Sequence, residues 1–179
     1  VAGGNFEGEA AAGPTDLLGP NFEISSGPTV FGPSDAAYSP VARKFLVVWT
    51  DNRNESSTSA DIYGALVSTE GVAGPAFPIS TAAAGQRFPT VTYNPQADRF
   101  LVVWTDFRTC PPDSVFGDHC TDLYGQLVKS DGTPDGGEFA ITTAPNDQRS
   151  QDVSYNSLTN TFLVVWEDNR ATPLTCSAA

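Results

Sequence analysis

Three Trp-x-Asp-x-Arg segments punctuate the chain, pairing Asp51 with Arg53, Asp106 with Arg108 and Asp168 with Arg170. Each Asp stands two positions after its Trp, at Trp49, Trp104 and Trp166. A carboxylate and a guanidinium two positions apart at a strand end can pair with each other and with the turn backbone. Alternatively, they can line a rim and hold a polar ligand such as a glycan. The pair recurs in every copy, and a ligand site rarely needs each copy, so the structural pairing is the expectation and the rim the alternative. A second group is Cys110, His119 and Cys120. A Cys/His metal centre needs about four ligands and this loop could supply three. Cys110 and Cys120 are therefore read as an intraloop disulfide, with His119 a loop residue beside it. Cys176 is left over, either as an inter-subunit disulfide or as a free thiol.

Calcium is the one metal that the acidic loops leave open, at Asp51-Asn52-Arg53-Asn54-Glu55 and in the loop carrying Asp113 and Asp118. Neither has the central Gly of an EF-hand, so these carboxylates are read as solvated and no cofactor is expected. There is a single His, no Ser-His-Asp arrangement and no nucleophile elbow. The expectation is a protein that is not an enzyme.

The elements that position these residues follow from composition. The 179 residues carry 9 Lys plus Arg against 21 Asp plus Glu, a net charge of −12. Such a surface repels phosphate backbones, which excludes nucleic-acid binding. The longest apolar runs are five residues, as in Phe45-Leu46-Val47-Val48-Trp49, far below the ~20 a membrane helix needs, so no membrane span is expected. Sixteen Gly and 14 Pro break up any helical period. The Val-, Ile- and aromatic-rich clusters between them read as an all-β chain. A disulfide implies an oxidising compartment. Only two Lys (Lys44 and Lys129), the sequon Asn54-Glu55-Ser56 and a start at Val1 without Met also suit a secreted, extracellular protein, processed or excised from a longer sequence.

Phe-Leu-Val-Val-Trp occurs at Phe45–Trp49, Phe100–Trp104 and Phe162–Trp166, with offsets of 55 and 62 residues. Tyr38, Tyr93 and Tyr155 precede the three Trp by eleven positions, and Phe-x-Ile (Phe22, Phe77, Phe139) precedes each Tyr by sixteen. Asp61-Ile62-Tyr63-Gly64 and Asp122-Leu123-Tyr124-Gly125 follow the first two Trp. These fixed spacings define a repeat of four short strands: a ends at the Tyr, b is Phe-Leu-Val-Val-Trp, c begins Asp-Ile-Tyr-Gly, and d is Phe-x-Ile. Strand b is apolar on both faces, so it must lie inside a stack of sheets. Units of this length with four strands match β-propeller blades.

Asn5-Phe6-Glu7-Gly8 reads as a worn copy of Asp-Ile-Tyr-Gly. The order is then a c–d half-blade (1–34), one blade (35–80), a second blade (90–142) and an a–b half-blade (152–179), within a single repeat domain over 1–179. The expected fold is all-β, with propeller-type, four-stranded antiparallel blades, about three per chain and one split between the two ends.

The Trp-x-Asp-x-Arg … Asp-Ile-Tyr-Gly repeat resembles that of secreted bacterial β-propeller-like repeat proteins. The resemblance spans nearly the whole chain and implies an extracellular repeat fold without catalytic residues. An apolar b strand at a sheet edge is ready to pair. The two halves can meet within one chain to close three blades, or between chains. Propellers usually have 4 to 8 blades, which favours pairing between chains. The functional expectation is a structural protein that assembles with itself, head to tail, by strand complementation into a fibre or closed oligomer. Phe6, Phe22 and Ile24 would be on one side of that joint and Phe162, Val164 and Trp166 on the other. The alternative is a closed propeller that binds a glycan or peptide at the Asp/Arg rim.

Overall fold

The computed structural model describes residues 6–8, 21–25, 30–110 and 120–171. Twelve strands and no helix occupy them: β1 (Phe6–Gly8), β2 (Phe22–Ser25), β3 (Val30–Ser39), β4 (Lys44–Asp51), β5 (Asp61–Ser68), β6 (Phe77–Ser80), β7 (Gln86–Asn94), β8 (Arg99–Asp106), β9 (Asp122–Lys129), β10 (Phe139–Thr142), β11 (Gln148–Asn156) and β12 (Thr161–Asp168). They form two four-stranded sheets, β3-β4-β5-β6 and β7-β8-β9-β10, and two two-stranded sheets, β1-β2 and β11-β12, all with antiparallel pairing. The Cys110–Cys120 disulfide is formed. Cys176, His119, Asp113 and Asp118 lie outside the described residues.

Local chemistry explains the repeated turns. Arg43, Asp98 and Asn160, at one repeat position before strand b, each take a positive φ of 51–54°, the left-handed residue of a three- to five-residue hairpin. Polar side chains hold the same turns: Asn94 Oδ1 accepts the amides of Gln96 and Ala97, and Asn156 Oδ1 accepts that of Leu158. Strand a starts upstream of the expected bounds, at Val30, Gln86 and Gln148. A bulge in each lets it resume pairing opposite Asp51, Asp106 and Asp168.

Successive sheets pack face to face, because strand b alternates apolar residues to both sides. Leu46, Val48, Ile62 and Ile79 of one four-stranded sheet form a core with Val91, Tyr93, Phe100, Val102 and Trp104 of the next. The opposite face of the first sheet, Val47, Trp49, Tyr63, Ala65 and Val67, is covered by Phe22 and Ile24 of β2. The far face of the second, Leu101 and Val103, is covered by Val153, Phe162 and Val164 of β11–β12. Thus β1–β2 and β11–β12 sit on opposite sides of the stack in separate sheets, and the chain's own halves do not complete each other. The sheets are also hooked together by backbone: Gln86 N–H donates to Ala60 O and Gln148 N–H to Thr121 O.

Candidate functional site

Each Asp-x-Arg pair closes on itself at the end of strand b. Asp51 Oδ1 accepts from the Arg53 amide and Nε, both at 2.9 Å, and Oδ2 accepts from Trp49 Nε1 at 3.0 Å and Arg53 Nη2 at 2.7 Å. Asp106 repeats the pattern with Trp104 and Arg108 at 2.7–2.9 Å, and Asp168 takes the same four donors from Trp166 and Arg170, with Arg170 Nε on Oδ2 instead of Oδ1. An ionised carboxylate has about four acceptor positions, so Asp51 and Asp106 have all of theirs filled from within three consecutive odd-numbered or even-numbered residues of their own strand end. Burial opposes ionisation of Asp51, but the bonds from Arg53 and Trp49 outweigh it and hold the carboxyl below its usual range. The Arg170 bonds hold Asp168 well below that range.

Strand c supplies the floor of these clasps. The Arg53 guanidinium lies 4.0 Å over the Tyr63 ring and that of Arg108 3.9 Å over Tyr124. Arg108 also pairs with Glu138 at 2.7 Å. In the candidate calcium loop the Asp51 carboxylate is saturated and Asn54 Nδ2 donates to Asp61 Oδ2 at 2.7 Å, while Asn52 Oδ1 and Asp61 Oδ1 are buried without a hydrogen-bond partner among the described residues. In the second four-stranded sheet Thr109 Oγ1 donates to Asp122 Oδ2 beside the disulfide. Burial, with some repulsion from Asp106, raises the Asp122 carboxyl despite that bond.

The open parts of the molecule lie elsewhere. In the four-stranded sheets each b strand is flanked on both sides, β4 by β3 and β5, and β8 by β7 and β9. Among the described residues β12 is paired on one side only, by β11, and β1 by β2 alone. The β1–β2 register, Phe6 opposite Ser25 and Gly8 opposite Phe22, repeats that of β5–β6, Ile62 opposite Ser80 and Gly64 opposite Phe77. Phe6 and Gly8 therefore hold the c-strand positions of Ile62 and Gly64.

Of the residues expected at a joint between copies, Phe22 and Ile24 pack on the first four-stranded sheet, and Phe162 and Val164 on the second. Trp166 donates to Asp168 in its own clasp, and the side chain of Phe6 lies outside what is described. The structure brings Phe22 together with Ile24, and Phe162 with Val164, but on opposite sides of the stack. What stays exposed is the other face of β12, together with the Tyr38–Phe45 end of the face that Phe22 and Ile24 cover. Leu46 and Val48 are each 0% exposed, whereas Leu163 and Val165 at the same repeat positions are 62% and 50% exposed. Tyr93 and Phe100 are 9% and 0% exposed, whereas Tyr38 and Phe45 are 39% and 38% exposed.

Several contacts between sheets escaped sequence reasoning. Asp35 Oδ2 accepts from Thr90 Oγ1 and the Val91 amide, Thr105 Oγ1 donates to Gln151 Oε1, and Asn94 Nδ2 donates to Asn160 Oδ1. None recurs in both steps between sheets, so no spacing announces them. The buried Gln86 and Gln148 do recur, in Gln86-Arg87 and Gln148-Arg149, and that repeated dipeptide is a signal that could have found them. No protein-family model matches this chain and no curated protein matches it, so the functional reading rests on the geometry of its sheets and their edges.

Proposed function

We propose that this chain is a non-catalytic extracellular structural protein that assembles head to tail, the open edge of β12 in one copy pairing with the open edge of β1 in the next. The observation that carries this reading is the identity of register between β1–β2 and β5–β6, set beside β12, which has no outer neighbour among the described residues. Together β11-β12 and β1-β2 supply strands a, b, c and d of one four-stranded sheet. Main-chain hydrogen bonds would hold such a joint, as in other strand-addition complexes. An apolar edge strand left open is a template for pairing.

In this reading the four-stranded sheets are propeller-type blades, stacked face to face, and each copy contributes twelve strands, three blades' worth. Two copies closing on each other give a six-bladed ring, and a joint that does not close gives a fibre. The Cys110–Cys120 disulfide supports an oxidising, extracellular setting. The alternative, glycan or peptide binding at the Asp/Arg rim, has less support, because Asp51 and Asp106 have no acceptor position left to offer.

Light scattering on the purified 179-residue chain tests the proposal. Assemblies of two or more copies are expected, and removal of residues 1–25 is expected to abolish them. A full-length chain that stays monomeric at micromolar concentration overturns it. Electron micrographs of the same material separate rings from fibres.

A further inference from the structure

We propose that the Tyr38–Phe45 face is the acceptor for Leu163 and Val165 of a second copy. The joint then buries a specific aromatic–aliphatic face in addition to any strand edge. This inference rests on the head-to-tail reading above and identifies the surface that would give the joint its direction.

The chain contains its own template for this contact. At the internal step between the four-stranded sheets, Leu46 and Val48 of β4 share one core with Tyr93 and Phe100 of the next sheet. At the following step Leu101 and Val103 pack against Val153, Phe162 and Val164. Leu163 and Val165 hold the repeat positions of Leu46 and Val48 and are exposed, and Tyr38 and Phe45 hold those of Tyr93 and Phe100 and are exposed. The acceptor is already shaped: the Tyr38 and Phe45 ring centroids are 4.9 Å apart, against 4.8 Å for the buried Tyr93–Phe100 pair. An aromatic pair held in its buried geometry on an open face needs little reordering when covered, which favours association.

Two further exposures fit the same copy-to-copy step. Leu158 is the most exposed large apolar side chain described and sits in the a–b turn where the preceding turn carries Gln96. Gln96 Nε2 donates to Ser157 O of the following unit, so Leu158 would reach the equivalent turn of a second copy, which carries Pro40 and Val41. Phe139, on the face of the second four-stranded sheet that a c–d half would cover, is also exposed, whereas Phe77 at the same repeat position is half-buried against the core between the four-stranded sheets. Apart from Val72 and Phe88, the exposed large apolar side chains lie where the internal repeat places a neighbouring sheet. A second copy is the occupant whose shape is already tested inside this chain.

A mixing experiment with two full-length variants tests the inference. A donor-dead chain carries Leu163→Glu and Val165→Glu, and an acceptor-dead chain carries Tyr38→Glu and Phe45→Ala. Each alone is expected to associate about 100-fold or more weakly than the parent, the size of effect that loss of a central apolar anchor produces. Mixed in equal amounts they are expected to give a discrete one-to-one dimer, because the donor-dead chain still accepts and the acceptor-dead chain still donates. Milder variants, Leu163→Ser and Tyr38→Ser, checked for native Trp fluorescence, separate loss of association from loss of folding. If the folded variants assemble as the parent does, or if the two fail to combine, the face assignment is overturned while strand pairing stands. If the parent itself is monomeric, both readings are overturned.

Discussion

Trp104 Nε1 donates to Asp106 Oδ2 over 2.8 Å, and both residues are completely buried. The same carboxylate holds the Arg108 guanidinium with two more bonds. Removing it leaves an indole N–H without its acceptor and a guanidinium without its main partner. Breaking a buried pair from one side costs about 3–5 kcal/mol, and Arg108 is a quarter exposed, so the lower end applies. Asp106→Ala is expected to lose about 3 kcal/mol, or roughly 6–12 °C in Tm for a chain of this size, measured by thermal unfolding. Asp168→Ala, in the more open third clasp, is expected to lose clearly less. Equal losses at the two sites would show that burial does not set the strength of these clasps.

The Gly of Asp-Ile-Tyr-Gly has a steric reason. A Cβ on Gly64 would stand 2.9 Å from Ile79 Cδ1 and 3.2 Å from both Leu46 Cδ1 and the Val47 carbonyl oxygen. On Gly125 the nearest approach is 3.2 Å, to the Val102 carbonyl oxygen. Overpacking of this kind costs about 1–3 kcal/mol. Gly64→Ala is expected at the upper part of that range and Gly125→Ala at the lower, by urea unfolding.

Acid acts on this molecule in two opposite ways. Asp51 and Asp168 have depressed carboxyl pKa values. Their stabilisation is complete above the unfolded carboxylate value of about 3.9 and disappears as pH falls through their folded values. Asp122 is raised, so the folded state takes up its proton more readily than the unfolded chain, and stability is gained as pH falls from above its folded value towards about 3.9. Urea midpoints are therefore expected to hold or rise slightly on acidification from neutrality and to collapse only below about pH 4. Asp122→Asn removes the rise and leaves the collapse. A midpoint that falls steadily from neutrality downward would contradict both signs.

The Cys110–Cys120 bridge closes a loop ten positions long between the second clasp and strand c. Chain-entropy arguments give such a loop about 2–3 kcal/mol. Reduction, or the Cys110→Ser and Cys120→Ser double variant, is expected to lower stability by that amount while leaving the β-sheet circular dichroism in place. Loss of all sheet signal on reduction would mean that the fold depends on the bridge.

Much of the fold was legible because the repeat fixes it. The b strands of the Phe-Leu-Val-Val-Trp segments, the c strands after Asp61 and Asp122, and the short d strands at Phe22, Phe77 and Phe139 all form as their spacing predicts. The sense of stacking was not legible. Alternation along strand b places Phe162 and Val164 on one face and Leu163 and Val165 on the other, but it does not say which face meets the preceding sheet. That depends on how strand twist and d-strand cover combine. Hence Phe162 and Val164 are spent inside the chain, while Leu163 and Val165 remain open. The clasp residues were named by spacing alone, and only their geometry shows that the carboxylates are saturated.

Each clasp is completed within its own sheet, so the strongest polar bonds do little to tie one sheet to the next. Cohesion along the stack falls to apolar faces and a few bonds such as Asp35 to Thr90. Opening of such a molecule is expected to travel from its outermost layers inward, with the amides of β11 and β12 exchanging with solvent before those of β8.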